Sequence, residues 1–99
     1  MIYLVYMDAK TIISIAKPIL EKHHVKKAAL FGSVIRGKIR PESDIDMLIE
    51  PPKDYSLFDL AGIKVDLEDA LHREVDLVKY DAIRPLLRDA ILKYEYPFL

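Results

Sequence analysis

The sequence predicts an α/β domain in which a small mixed β-sheet is backed by helices. Three observations lead there. Apolar residues recur at helical spacing in three long stretches. Three short apolar runs, each bounded by polar or turn-forming residues, lie between them. The order along the chain is helix, strand, short helix, strand, helix, strand, helix. With 99 residues and a hydrophobic share of 52%, the chain can fold as one domain, and that share argues against disorder. The domain is assigned to residues 1–99, with residues 1–7 an edge strand or a flexible segment.

Asp8 is a suitable N-cap for a first helix over residues 8–23, where Ile12, Ile15, Ala16 and Ile19 make one apolar side. Pro18 withholds the hydrogen bond to the Ser14 carbonyl and is expected to kink or divide this helix. Residues 25–31 read as a buried strand, and residues 33–37 as a short helical turn. A polar loop with Pro41 leads to a second strand over residues 44–49. Alternation puts Asp44, Asp46 and Leu48 on one side of it and Ile45, Met47 and Ile49 on the other. Pro51-Pro52 ends that strand.

Ser56 is placed to cap a helix through residue 72, which Gly62 weakens. Its expected apolar stripe is Leu57, Leu60, Ala61, Val65, Leu67 and Leu71, while Asp66, Glu68 and Asp69 form a solvated side. The third strand covers residues 74–79, with Val75 and Leu77 on one side and Asp76 and Val78 on the other. Asp81 opens a last helix, with Pro85 tolerated in its first turn and Ile83, Leu86, Leu87, Ala90 and Ile91 facing inward. Tyr94, Tyr96, Phe98 and Leu99 form an aromatic tail suited to core packing or to anchoring an interface.

Composition excludes several functional classes. There is no cysteine, hence no disulfide framework, thiolate zinc site or cysteine nucleophile, and this fits a reducing cytoplasm. The formal charge of −1 supplies no broad basic field, so direct binding to nucleic acid is not expected beyond a local patch such as Lys38 and Arg40. The apolar start, residues 1–6, is far too short to cross a membrane. His23, His24 and His72 have no metal-ligand spacing and read as ordinary surface histidines.

The chemistry concentrates in Phe31-Gly32-Ser33-Val34-Ile35-Arg36-Gly37 and Ser43-Asp44-Ile45-Asp46. A Gly-Ser turn after a strand offers backbone N–H groups and a hydroxyl to a phosphate. Two carboxylates on one strand face repel unless a cation joins them, and their hard oxygens suit Mg²⁺. Arg36 is placed to pair with a phosphate. Gly32 to Ile39 also comes within one residue of a P-loop, G-x-x-x-x-G-K-[ST]. Ile39 lacks the hydroxyl that would ligate Mg²⁺, and Pro41 discourages the long helix that follows such a loop.

A Gly-Ser pair, ten residues and then Asp-x-Asp resembles the signature of the DNA polymerase beta-like nucleotidyltransferases. The form Phe-Gly-Ser-x-x-Arg-Gly with Ser-Asp-Ile-Asp, in so short a chain, is similar to the minimal nucleotidyltransferases of prokaryotes, many of them antitoxins paired with a HEPN-domain toxin. The resemblance spans residues 8–93. It implies a polymerase beta-like palm fold and ATP as the donor. Gly32, Ser33 and Arg36 would hold the triphosphate. Asp44, Asp46 and Asp76 would hold two Mg²⁺ ions, with Asp76 as third ligand or general base and Glu74 a substitute for it.

The implied reaction is attack of a hydroxyl on the α-phosphate of ATP, which places AMP on a tyrosine of a HEPN toxin. After the third strand only one further helix is expected, so the acceptor, or the surface that holds it, is expected to come from another molecule, with the chain working in a complex with it. The rivals are an antitoxin that neutralises by contact alone and a subunit that senses nucleotide without turnover.

Overall fold

The structure is a computed structural model that describes residues 9–31, 44–83 and 96–99. Helix α1 (Ala9–Lys22) leads to strand β1 (Lys27–Phe31), then strand β2 (Ile45–Glu50), helix α2 (Leu57–Leu71) and strand β3 (Val75–Lys79). A single 3₁₀ turn (Tyr80–Ala82) and a two-residue strand β4 (Tyr96–Pro97) complete the described elements. The sheet is mixed, in the order β3-β2-β1-β4. Strand β1 runs antiparallel to both β2 and β4, whereas β2 and β3 are parallel. The predicted small mixed sheet backed by helices is therefore present. The Asp8 cap, the helical turn at 33–37, the loop at 38–43, the last helix beyond Ile83, and Tyr94 lie outside the described residues.

Alternation along the strands sorts the core into two sides. Ala28, Leu30, Ile45, Met47, Ile49 and Val75 meet Ile12, Ala16 and Leu20 of α1 and Ile63, Leu67 and Leu71 of α2. On the opposite side Ala29, Leu48 and Ile83 form a smaller cluster joined by Phe31, Val78 and Tyr80. Strand β2 is covered on both sides, which explains its nearly unbroken apolar run. Asp46 is the carboxylate within that run.

Helix α1 is continuous through Pro18, which corrects the expected division. Pro18 is exposed, so the Ser14 carbonyl it leaves without an intrahelical partner faces the side where water can serve it. The helix ends in a Schellman arrangement. The Val25 N–H donates to Leu20 O at 3.0 Å and the His24 N–H to Glu21 O at 3.0 Å, with His24 left-handed at φ 60°. His72 closes α2 in the same conformation, at φ 56°, and its N–H donates to Glu68 O at 2.8 Å. Two of the three histidines are thus helix terminators. The third, His23, meets the Asp66 carboxylate at 2.7 Å and ties α1 to α2.

Helix α2 begins at the predicted Ser56 with a full capping box: Ser56 Oγ accepts from Asp59 N at 3.1 Å, and Asp59 Oδ2 accepts from Ser56 N at 2.9 Å. Its buried stripe differs from the expected one. Ile63, Leu67 and Leu71 point inward with Leu60 beside them, while Leu57, Ala61 and Val65 are exposed. The helix is apolar on more than one side, so the sequence pattern did not single out the buried one. Nor are its acids all merely solvated. Asp66 meets His23. Glu68 accepts from Val75 N at 2.9 Å and pairs with Lys64 at 3.0 Å, while Lys64 Nζ donates to Val75 O at 2.5 Å. These two side chains occupy both backbone groups of Val75 at the sheet edge, where an unpaired strand invites association.

Two consequences can be measured. A Cβ at Gly62 would meet His23 Cε1 at 3.9 Å, an ordinary contact. Gly62→Ala is therefore expected to stabilise the fold by about 0.5–1 kcal/mol, read by denaturant unfolding. The hydrogen bond from His23, which is the largest cause, holds the Asp66 carboxyl below the usual carboxylate range. Its contribution is present above that range and lost as pH falls through the depressed value. Asp66→Asn should flatten the acid limb of the stability profile, followed by thermal melts against pH.

The C-terminal tail was expected to pack or to anchor an interface, and no strand was expected in it. Tyr96 and Pro97 instead pair with Leu30 and Ala29, and Phe98 and Leu99 pack against the core. Two residues, one of them a proline, carry too weak a pattern to read as a strand. Asp81 likewise lies in the 3₁₀ turn, with Ile83 in extended conformation just beyond it.

Candidate functional site

The site is built where β2 and β3 begin. Because these strands are parallel and in register, Asp46 stands beside Asp76 on the same side of the sheet. The antiparallel pair on the other flank sets Phe31 beside Asp46. Asp46 is thus held between an aromatic ring position and a second carboxylate. Asp44 lies just before β2 and is exposed, as is Asp76, while Asp46 is half-buried. Below them Leu48, Val78, Ala29 and Ile83 close the same side of the sheet with apolar groups.

The electrostatics follow from this placement. Burial pushes the Asp46 carboxyl above the usual carboxylate range, and the charges of Asp76 and then Asp44 push it further in the same direction. The charges of Asp44 and Asp76 thus both bear on Asp46. Among the described residues, no three acidic or histidine side chains are drawn together tightly enough to grip a metal ion as they stand. Their chemistry nonetheless fits a hard divalent cation: all the donors are carboxylate oxygens, and the like charges around Asp46 are relieved by a positive ion.

Gly32, Ser33 and Arg36 follow directly on β1, but they lie outside the described residues. Sequence reasoning missed the wall around Asp46. Phe31 and Val78 contribute to it, and the alternation that put Leu48 beside Asp46 was the available signal. Glu74 is exposed, and its described contact is through the backbone, where its carbonyl accepts from Ile45 N at 2.9 Å. That bond fixes the start of β3 against β2 and so the pairing of Asp46 with Asp76.

Comparison with known proteins places this geometry among relatives. Residues 14–96 match the family model described as Polymerase beta, Nucleotidyltransferase. A protein of Methanocaldococcus jannaschii named "Putative protein adenylyltransferase" is 49% identical over 75 residues, which cover 76% of this chain and 81% of the relative. A solved minimal nucleotidyltransferase structure superposes with a TM-score of 0.79 at 32% identity, covering 93% of this chain and 97% of the other. A structure of tri-AMPylated Shewanella oneidensis HEPN toxin in complex with MNT antitoxin shares the fold. Its TM-score is 0.67 at 18% identity, over 89% of this chain and 69% of that one.

Proposed function

Because the chain belongs to the polymerase beta nucleotidyltransferase family, we propose that it transfers AMP from ATP to a tyrosine hydroxyl of a HEPN-type toxin, as the antitoxin of the pair. The observation that carries this reading is the in-register pairing of Asp46 with Asp76 on one side of the sheet, close enough to Asp44 for its charge to bear on Asp46. The adenylyltransferase name of the Methanocaldococcus relative and the AMPylated toxin in the Shewanella complex support the donor and the acceptor. Among the described residues no helix is long and apolar enough to cross a membrane. The proposed transfer from ATP to a toxin would take place in the cytoplasm.

The reaction forms a bond from the acceptor oxygen to the α-phosphorus and breaks the bond from that phosphorus to the bridging oxygen. Pyrophosphate leaves and the hydroxyl proton goes to a carboxylate, for which Asp76 is the exposed candidate. Asp44, Asp46 and Asp76 would hold Mg²⁺, two ions in the fullest form, and the metal when bound supplies charge neutralisation to the triphosphate. Ser33 and the backbone around Gly32 would hold the phosphates by hydrogen bonds, with Arg36 as their cation. The protein's own work is to position and to neutralise charge.

Ser33→Ala and Arg36→Ala should each weaken binding of a nonhydrolysable ATP analogue by about 10-fold or more, since a charge-assisted hydrogen bond is worth roughly 1.5–3 kcal/mol. Calorimetry with Mg²⁺ present measures this, and unchanged affinity in both variants would put the triphosphate elsewhere. The function itself is tested by incubating the chain with a HEPN-domain partner, Mg²⁺ and ATP labelled on the α-phosphate. Label on the partner is expected; label on neither protein counts against the transferase.

A second reading, neutralisation by contact alone, is favoured by the large apolar side chains that α2 exposes. An Asp46→Asn variant that still silences the partner fully would select it.

A further inference from the structure

Helix α2 buries one apolar side and leaves a second in solvent. Leu57 is 80% exposed, Phe58 89% and Val65 54%, and Ala61 is exposed with them. At 100° per residue, Leu57, Ala61 and Val65 form one i, i+4 ridge, and Phe58 points in nearly the same direction as Val65 from about two turns nearer the N-terminus, flanking Ala61. The ridge is about 12 Å long at the helical rise. It has large side chains at both ends and a small one at Ala61 between them. That notch matches a helix crossing at an angle, where ridges of one helix fill grooves of the other. It does not match a flat surface.

Charge narrows the occupant further. The same ridge continues to the exposed Asp69, and Glu68 flanks it. Along the helix Asp59, Asp66, Glu68 and Asp69 outnumber the single lysine, Lys64; Glu68 pairs with Lys64 at 3.0 Å and Asp66 with His23 at 2.7 Å, and Asp69 is the acid on the ridge itself. An anionic membrane or a nucleic acid would be repelled by this edge. A second copy packed about a twofold axis would bring acids against acids.

We infer that the outer ridge of α2 docks an amphipathic helix of a partner protein whose apolar side is flanked by Lys or Arg. The inference deepens the proposed function, since it supplies the docking chemistry of the acceptor protein, and it rests on that reading only for the acceptor role of the partner. Phe58 and Leu57 would be the anchors, Ala61 the point of closest approach, and Asp69 the charged contact that sets direction.

The test uses the full chain, labelled for ¹H–¹⁵N NMR, and two helical peptides with the same apolar side, one flanked by lysines and one by glutamates. The lysine-flanked peptide is expected to shift the amides of Leu57, Phe58, Ala61 and Val65 and to bind at least about 10-fold more tightly than its counterpart. Phe58→Ser with Val65→Ser should weaken it by about 10-fold or more, and Asp69→Lys by several-fold. Unchanged thermal melts would show both variants folded, as expected for exposed positions.

Equal binding of both peptides, binding of neither, or shifts confined to another surface would overturn the inference. So would binding to phosphatidylglycerol vesicles, or a self-associated species in sedimentation that Phe58→Ser abolishes. ATP titration of the same samples separates the two readings. Retained nucleotide binding with failed docking overturns only the docking surface. Failed nucleotide binding with the expected peptide shifts overturns only the transferase.

Discussion

Asp46→Asn is expected to lower nucleotide transfer by about 10³-fold or more, the scale on which loss of a transition-state electrostatic contact is felt. The metal-free protein should melt at the same temperature or higher. Both halves come from one geometry. Asp46 stands between Phe31 and Asp76 with Asp44 nearby, so its ionised form is disfavoured in the fold. Folding raises its pKa, and the associated penalty is absent below the ordinary carboxylate range and grows as pH rises through the raised value. An amide removes that penalty at neutral pH while deleting a carboxylate proposed to hold the cation. Transfer assays and thermal melts on the same preparation check the pair of outcomes. Undiminished transfer would remove Asp46 from the site, and a large fall in melting temperature would mean that its role is structural.

The second large effect is expected at Asp76. A tyrosine hydroxyl is a weak nucleophile at neutral pH and needs its proton taken as the new bond forms. Asp76 is exposed on the side of the sheet that carries Asp46 and is free to approach an incoming hydroxyl. Asp76→Asn should then cut turnover by about 10²–10⁴-fold, with a much smaller change in ATP affinity. Single-turnover rates against calorimetric affinity separate the two quantities. Equal losses in both would make Asp76 a metal and nucleotide ligand only, and a loss in neither would pass the base role to Glu74.

Much of the site was legible in the sequence because strand alternation is a strict rule. Once residues 44–49 read as a strand, Asp44 and Asp46 had to share a side, and Asp76 matched them on the neighbouring strand. What could not be read was register. Only the pairing of Ile45 with Val75, fixed by the Ile45 N–H to Glu74 carbonyl bond, puts Asp46 beside Asp76.

Strands β1, β2 and β3, the Ser56 cap and the order α1-β1-β2-α2-β3 were legible for the same local reasons. The burial of α2 was not. Leu57, Ala61 and Val65 fit a helical stripe as well as Ile63, Leu67 and Leu71 do, and tertiary packing alone chose between them. Pro18 misled because its effect depends on which side of the helix it occupies. The His24 and His72 terminators were hidden because glycine or asparagine is the usual sign of a left-handed cap. Strand β4 was hidden by its two-residue length.

If this chain moves AMP onto a protein hydroxyl, the acceptor gains the mass of an adenylyl group. A HEPN-domain toxin partner, purified with the chain, would be incubated with ATP and Mg²⁺ and weighed intact, with fragments sequenced. The partner should come out heavier by one or more adenylyl groups, carried on tyrosine, with no gain from the Asp46→Asn chain or in the presence of chelator. A partner that is silenced at equal stoichiometry yet keeps its original mass would contradict the transfer.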